Sequence, residues 1–184
     1  LVSSTWAKYT TTTTGTDSAR VAYWGFKQEA NYELELFNDN YTDVVGKDSA
    51  KVVAPGTKKS QTITFESDQT TAPEVDYSIT YAVTASCGAK LDNNPNFVWK
   101  LKVGDAAEQT FQKIGELESA IEALSVAKVN AGQKYTQTFI VGWEWLFTDA
   151  NSEQDTALGN ATGALEETSI TITMTATQLD TPQN

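Results

Sequence analysis

Oxygen-bearing side chains occur at every second position in the stretch TDANSEQDTALG, just after a tryptophan-rich segment. These residues are Asp149, Asn151, Glu153 and Asp155. Calcium loops place ligands at alternate positions, because a tight loop turns alternate side chains towards one centre. The loop lacks the Gly at its sixth position and the Glu at its twelfth that complete an EF-hand. The spacing therefore leaves two interpretations: a structural Ca²⁺ site, or an acidic, solvated hairpin loop.

Residues suited to catalysis are sparse. The chain has no His, so neither a His-based triad nor a zinc site with His ligands can form. Among 24 acidic residues, no pair is singled out as a glycosidase acid and base. Cys87 is the single cysteine; it is either a reactive thiol or, as we favour, a residue at a strand end. We therefore predict that the protein is not an enzyme, with Ca²⁺ as the one cofactor to consider.

Tryptophans in the segment Tyr135–Phe147 invite a sugar-binding interpretation, since indole faces stack on sugar rings. Trp143 and Trp145, however, alternate in register with Phe139, Val141 and Phe147, which indicates one apolar strand face. We expect both to lie in the core, and Trp99 with them. Trp6 and Trp24 remain open to either role.

Charge and hydropathy exclude two classes of partner. The formal net charge is −11, with 13 Lys and Arg, whereas a nucleic-acid-binding protein needs a basic face. No run of 18 apolar residues is present, so the sequence predicts no membrane-spanning helix.

Alternation of apolar and polar residues is the dominant pattern, and it predicts half-buried strands of antiparallel sheets. Turn-forming residues separate the segments. With an N-terminal strand and one over Ala19–Phe26, roughly eight or nine strands result, and we predict an all-β antiparallel sandwich. The other predicted strands centre on Tyr32–Leu36, Ile63–Phe65, Val75–Val83, Phe97–Val103, Tyr135–Phe147 and Ile170–Ala176.

One segment has helical spacing. Between Asp105 and Leu124 the apolar residues recur every three or four positions, which predicts a helical excursion over 105–124. Asp105 and Glu108 resemble a capping box at its start. Gly115 lies within the segment and is expected to weaken the helix or divide it.

The chain opens with a segment of high strand propensity, WAKYTTTTT, which has no Gly or Pro before Gly15. We predict an N-terminal extension over residues 1–15 and a single sandwich domain over residues 16–184. The strand has two possible partners: Ala19–Phe26, through a turn at Gly15–Asp17, or the sheet of another subunit. In the second case the residues that direct polymerisation are Val2, Trp6, Ala7, Tyr9, Thr11 and Thr13.

Three stretches carry a resemblance to a known family. The opening STWAKYTTTTTGTDSARVAYWGF, and the late VGWEWLFTDANSEQDTALG with the closing SITITMTATQLD, resemble secreted Gram-positive proteins exported with SipW-type signal peptides. This group includes the TasA matrix-fibre proteins and camelysin. The resemblance implies a jelly-roll-like sandwich at the cell surface or in extracellular matrix, with N-terminal strands inserted into neighbouring subunits. Camelysin is described as a metalloprotease, and we do not transfer that activity to a chain without His.

These observations predict a structural subunit of a secreted, cell-surface or matrix filament of biofilm type. Identical subunits would join head to tail, because a contact that does not close on itself yields an open fibre. The alternative is a calcium-assisted module that binds carbohydrate or another surface through exposed aromatic residues. An enzyme ranks third.

Overall fold

In a computed structural model of the chain, the described residues are 20–26, 30–37, 41, 44–161 and 168–180. They form eight strands, three helices and a 3₁₀ turn at Lys47–Ser49. The strands are β1 (Ala30–Glu33), β2 (Lys58–Glu66), β3 (Tyr77–Ser86), β4 (Phe97–Val103), β5 (Gln109–Phe111), β6 (Val126–Val129), β7 (Thr136–Trp145) and β8 (Ser169–Gln178). The helices are α1 (Ala89–Asp92), α2 (Ile114–Glu122) and α3 (Ser152–Gly159).

The strands form two four-stranded antiparallel sheets, which confirms the predicted all-β sandwich. One sheet has the order β1-β8-β3-β6 and the other has the order β2-β7-β4-β5. This order of eight strands in two Greek keys is that of a jelly roll. The strand pairs β3–β8 and β2–β7 run in uninterrupted register over ten and nine residue pairs, respectively.

The core consists of the apolar strand faces that the alternation predicted. Val141, Trp143 and Trp145 of β7 are buried, and so is Trp99 of β4. Aromatic rings connect the two sheets: Tyr81 of β3 lies with its ring centroid 5.1 Å from Phe139 and 5.3 Å from Phe65. Such edge-to-face contacts add to the free energy gained by burying the rings.

Phe147 departs from the predicted core face. The prediction placed it with Trp143 and Trp145, but β7 ends at Trp145 and the Phe147 side chain is 85% exposed. The alternation argument fails here because Leu146 N–H donates to the carbonyl of Asn96 as the chain leaves the sheet. Beyond that bond the period-2 geometry of the strand no longer applies.

The helical excursion is shorter than predicted. Residues 105–113 contain a turn and the short strand β5, and the helix itself spans Ile114–Glu122. Asp92 and Glu116 cap its start: their carboxylates accept the N–H groups of Ile114 at 2.8 Å and Lys113 at 3.2 Å. The predicted cap at Asp105 is thus wrong, because a partner distant in sequence, Asp92, sets the boundary. Gly115 lies in the first turn and does not divide the helix.

Residues 20–26 form no strand, although one was predicted over Ala19–Phe26. Among the residues that the structure describes, no helix is long and apolar enough to cross a membrane.

Candidate functional site

The four predicted calcium ligands do not converge on one point. Asn151 precedes α3 with a left-handed backbone (φ 60°), and Glu153 points to solvent from the first turn of that helix. Asp149 is exposed in the preceding loop. Asp155 turns inwards instead, because the helix places it on the face packed against the sandwich.

The Asp155 carboxylate is surrounded by N–H donors. Its Oδ1 accepts from Trp145 Nε1 at 2.8 Å and from Asn94 Nδ2 at 3.0 Å, and its Oδ2 accepts from Asn96 Nδ2 at 2.8 Å. Both asparagines are buried. We refer to Asp155, Trp145, Asn94 and Asn96 as the Asp155 cluster. The sequence gives no signal for the pairing of Asp155 with Asn94 and Asn96, since the partners lie about 60 positions apart.

This geometry indicates that the Asp155 cluster has a structural role. Its donors hold α3 against the end of the sandwich, and N–H groups occupy both carboxylate oxygens where a cation would need them. In the described part of the chain, no group of three or more Cys, Asp or Glu side chains is arranged to hold a metal ion.

The tryptophans do not form a sugar-binding platform in the described ranges. Trp99, Trp143 and Trp145 are buried, as predicted, and the Trp143 Nε1 donates to the Leu36 carbonyl at 2.9 Å. Trp24 is half-buried, 5.3 Å from Phe26 between ring centroids. Trp6 lies outside the described residues.

Cys87 is half-buried at the end of β3, the position that the sequence favoured. Burial raises the pKa of its thiol to about 11. A thiol with this pKa is protonated at neutral pH and therefore a poor nucleophile.

The edges of the two sheets differ greatly in length. Edge strands expose unpaired backbone groups, and natural proteins shorten or cover them to avoid unwanted pairing. Within the described residues, three of the four edge strands are short: β1 and β6 have four residues each and β5 has three. The fourth, β2, has nine residues.

Side chains cover the part of β3 that extends beyond β6. The Ser125 hydroxyl accepts the N–H of Tyr81 at 3.0 Å, and the Glu122 carboxylate accepts the N–H of Val83 at 3.2 Å. Both acceptors belong to the end of α2 and the residues after it. The helix thus closes this side of the sandwich, as an edge-protection device would.

The outer edge of β2, by contrast, has no strand neighbour among the described residues. At the two ends of β2, the Thr57 carbonyl accepts the Trp145 N–H at 2.9 Å, and the Ser67 N–H donates to the carbonyl of Tyr135, just before β7, at 2.9 Å. Because bonding alternates along an antiparallel pair, the odd-numbered residues of β2 face β7 and the even-numbered residues face outwards. Lys58, Ser60, Thr62, Thr64 and Glu66 therefore direct their N–H and C=O groups to this edge. Among the described residues, no strand pairs with it.

The neighbouring segment 32–37 approaches β2 without pairing with it as a strand. The Tyr32 hydroxyl donates to the Thr64 carbonyl at 3.3 Å, and the Glu35 N–H donates to Gln61 Oε1 at 2.9 Å. Leu34 and Leu36 then enter the core. The side chain of Ile63 is buried, whereas Thr62 is exposed, so β2 offers a polar face and a regular backbone to a further strand.

Residues 20–26, which we call the anchor segment, attach the start of the described chain to the loop after β2. Arg20 forms a bidentate pair with the Glu74 carboxylate at 2.5 and 2.6 Å. Tyr23 uses both backbone groups on Glu74, donating to Oε2 at 2.7 Å and accepting from its N–H at 2.9 Å. The Tyr23 hydroxyl also donates to Asp68, and the Asp68 N–H donates to the Gly25 carbonyl at 2.7 Å.

Electrostatics favour this attachment. The Arg20 guanidinium, with the Tyr23 N–H, lowers the pKa of Glu74 to about 2. The Tyr23 hydroxyl bond lowers the pKa of Asp68. Both carboxyl groups are therefore charged at neutral pH, and they hold the anchor segment against the loop after β2.

The predicted polymerisation residues Val2, Trp6, Ala7, Tyr9, Thr11 and Thr13 lie outside the described residues, as does the predicted extension over 1–15. The structure describes the anchor segment that follows them in the chain, and the edge strand β2. No protein-family model matches the chain, and no curated protein matches it. Its function is therefore inferred from its own geometry and from the resemblance of its two ends.

Proposed function

We propose that this protein is a structural subunit of a secreted, cell-surface or matrix filament, in which the N-terminal strand of one subunit pairs with the β2 edge of the next. The single observation that carries the proposal is the contrast among the described sheet edges: β2 has nine residues and no described strand neighbour, whereas β1, β5 and β6 are short and β3 is covered. An edge strand whose outward-facing backbone groups at Lys58, Ser60 and Thr62 have no strand partner in the described part of the chain is suited to strand addition.

The N-terminal segment has the composition of a donor strand. Residues 5–14 comprise six threonines together with Trp6, Ala7, Lys8 and Tyr9, and none is Gly or Pro. Threonine and aromatic residues favour extended backbone, and the hydroxyls keep a lone strand hydrated. Main-chain hydrogen bonds with β2 would supply the affinity, and the side chains would set the register.

Pairing within the same subunit is the competing arrangement. The turn at Gly15–Asp17 would fold the strand back onto Ala19–Phe26, but residues 20–26 form no strand. Both backbone groups of Tyr23 already bind Glu74. This observation favours donation to a neighbour over a local hairpin.

Deleting residues 1–14 tests the donor. The described core residues of both sheets come after this segment, so we expect the truncated chain to fold with a wild-type melting temperature and to remain monomeric. Electron microscopy of the wild-type chain is expected to show filaments. Filaments of the truncated chain would refute strand donation.

Thr62→Pro tests the acceptor. Thr62 N–H faces outwards, so proline removes a donor that β7 does not use, and an edge strand tolerates that loss. Assembly is expected to stop while the monomer stays folded. Thr62→Val keeps the N–H and is the matched control, which should assemble normally. Assembly of the proline variant would show that β2 is not the acceptor.

A further inference from the structure

We propose that the strand enters β2 antiparallel and thereby seats the anchor segment of one subunit on the exposed Phe147 of the next. This inference rests on the filament proposed above and adds its polarity and a second contact. The sandwich has two ends. We call the end that carries the anchor segment and Glu66 the anchor end, and the end that carries Lys58 and Phe147 the far end.

The position of Arg20 limits where the donor strand can lie. Tyr23 binds Asp68, two residues after β2 finishes at Glu66, so Arg20 and the rest of the anchor segment lie at the anchor end. Six residue steps separate Thr14 from Arg20, and an extended chain covers at most about 22 Å in six steps. Whichever edge the strand enters, Thr14 stays within that distance of its own anchor segment.

The length of β2 then separates the possible arrangements. Nine residues of strand extend about 27 Å from Lys58 to Glu66. A strand antiparallel to the whole of its own β2 would place Thr14 at the far end, beyond the reach of the connection. Full-length antiparallel pairing thus requires another subunit. Full-length pairing within the same subunit would be parallel, and every described strand pair is antiparallel.

Orientation also decides whether the assembly closes. Parallel insertion into a second subunit would place Thr14 near Glu66 of the acceptor and bring two anchor ends together. Each strand could then enter the other subunit, which yields a closed dimer. Antiparallel insertion places Thr14 near Lys58 of the acceptor and brings an anchor end onto a far end. Every added subunit then presents a new far end, as an open fibre requires.

Exposed apolar side chains lie at the two ends that this contact joins. Phe147 is 85% exposed at the far end, where its Cβ lies 3.8 Å from the position of a Cβ on Gly56, just before β2. Val21 of the anchor segment is 78% exposed. Tyr23 and Leu146 beside them are also exposed. The contact would bury Phe147 against the anchor segment of the incoming copy, as interface aromatics are buried.

Phe147→Ser tests the contact, with Phe147→Leu as the matched control that keeps apolar bulk. Because the ring is exposed in the monomer, neither change should alter the melting temperature. The serine variant is expected to raise the critical concentration for assembly, measured by pelleting, by about ten- to a hundredfold, which is the effect of losing one buried aromatic ring. The leucine variant should raise it less than about fivefold. A serine variant that assembles like wild type would overturn the inference.

The failure of this inference and that of the filament proposal give different results. If the wild-type chain does not assemble, the filament proposal fails. If it assembles and Phe147→Ser has no effect, only the second contact fails. A labelled synthetic peptide of residues 1–14 should bind the Phe147→Ser chain as tightly as wild type, because β2 is intact. Weaker peptide binding would place Phe147 in the strand site instead of in the contact between subunit ends.

Disulfide trapping tests the direction. In a Cys87→Ser background, Thr12→Cys is combined with either Ser60→Cys or Thr64→Cys. Thr11→Cys is combined with the same two substitutions, so that both registers of the inserted strand are covered. Antiparallel insertion in the full register predicts cross-linked ladders with Ser60→Cys. Cross-linking confined to Thr64→Cys, or cross-linked monomers alone, would overturn the proposed polarity.

Discussion

Replacing Asp155 with asparagine changes one carboxylate oxygen to an amide nitrogen inside the Asp155 cluster. The amide oxygen can retain the two bonds at the Oδ1 position, from Trp145 and Asn94. The amide N–H₂ then faces the side-chain N–H₂ of Asn96, which loses its acceptor at 2.8 Å. The change keeps the size of the side chain, so the effect reports hydrogen bonding and charge.

The magnitude follows from the number of bonds lost. A hydrogen bond to a charged group contributes about 1.5–3 kcal/mol, and a buried donor left without an acceptor costs about 1–3 kcal/mol. Asn96 is 3% exposed and has little access to water. We expect Asp155→Asn to lower the free energy of unfolding by about 2–3 kcal/mol. For a chain of this size the melting temperature should fall by about 5–10 °C.

Thermal and urea unfolding, followed by circular dichroism, measure this change. Glu153→Gln is the matched control: it makes the same acid-to-amide replacement in the same helix, at an exposed position. It should alter stability by less than about 0.5 kcal/mol. Equal melting temperatures for the Asp155→Asn chain and wild type would refute the structural role of the cluster.

Gly142→Ala places a Cβ against the Lys59 carbonyl oxygen and should lower the free energy of unfolding, measured in urea, by about 1–3 kcal/mol. Gly115 has open space around it, so Gly115→Ala should stabilise α2 by about 0.5–1 kcal/mol. Equal effects of the two substitutions would contradict this prediction. The attachment of the anchor segment by Glu74 should be complete above about pH 4.5 and lost as the pH falls towards about 2, because Arg20 depresses the pKa of Glu74. The Tyr23 amide chemical shift should therefore titrate near pH 2, and a midpoint near 4.5 would contradict the ion pair. Calcium should leave the melting temperature unchanged, because N–H donors already bind the carboxylate oxygens of Asp155. A melting temperature that rises with calcium concentration would instead show that the chain binds this ion.

Alternation along the chain predicted the sandwich because strand faces are a local property. Residues such as Ile79, Trp99 and Val141 lie in the core for the reason that their period-2 pattern indicates. Phe147 has the same pattern but lies beyond the end of β7, and strand ends depend on partners such as Asn96 that are distant in sequence. The position of an element end is therefore less predictable than its type.

The helix α2 shows the same limit. Its apolar positions Leu117 and Ile121 were predicted correctly and are buried. Its start was not predicted, because Asp92, some twenty residues earlier, caps Ile114. The anchor segment is a third case: Arg20 and Tyr23 hold it through Glu74, in place of the strand that its β-branched and aromatic residues indicated.

The candidate site followed from the sequence only in part. The composition of residues 1–15 predicts a donor strand, but the sequence does not single out an acceptor, since β2 has the same alternating pattern as strands that are paired on both sides. What distinguishes β2 is the absence of a described neighbour at its outer edge, and that depends on topology. Likewise, Asp149 and Glu153 resemble Asp155 in spacing, and only packing shows that Asp155 alone turns inwards.

Mixing two assembly-deficient variants tests strand donation to β2 most directly. The chain lacking residues 1–14 keeps an open β2 edge but has no donor, and the Thr62→Pro chain keeps its donor but has a blocked edge. Each should sediment as a monomer, and their mixture should give a heterodimer of one copy of each and nothing larger. A mixture that contains only monomers would contradict the proposed assembly.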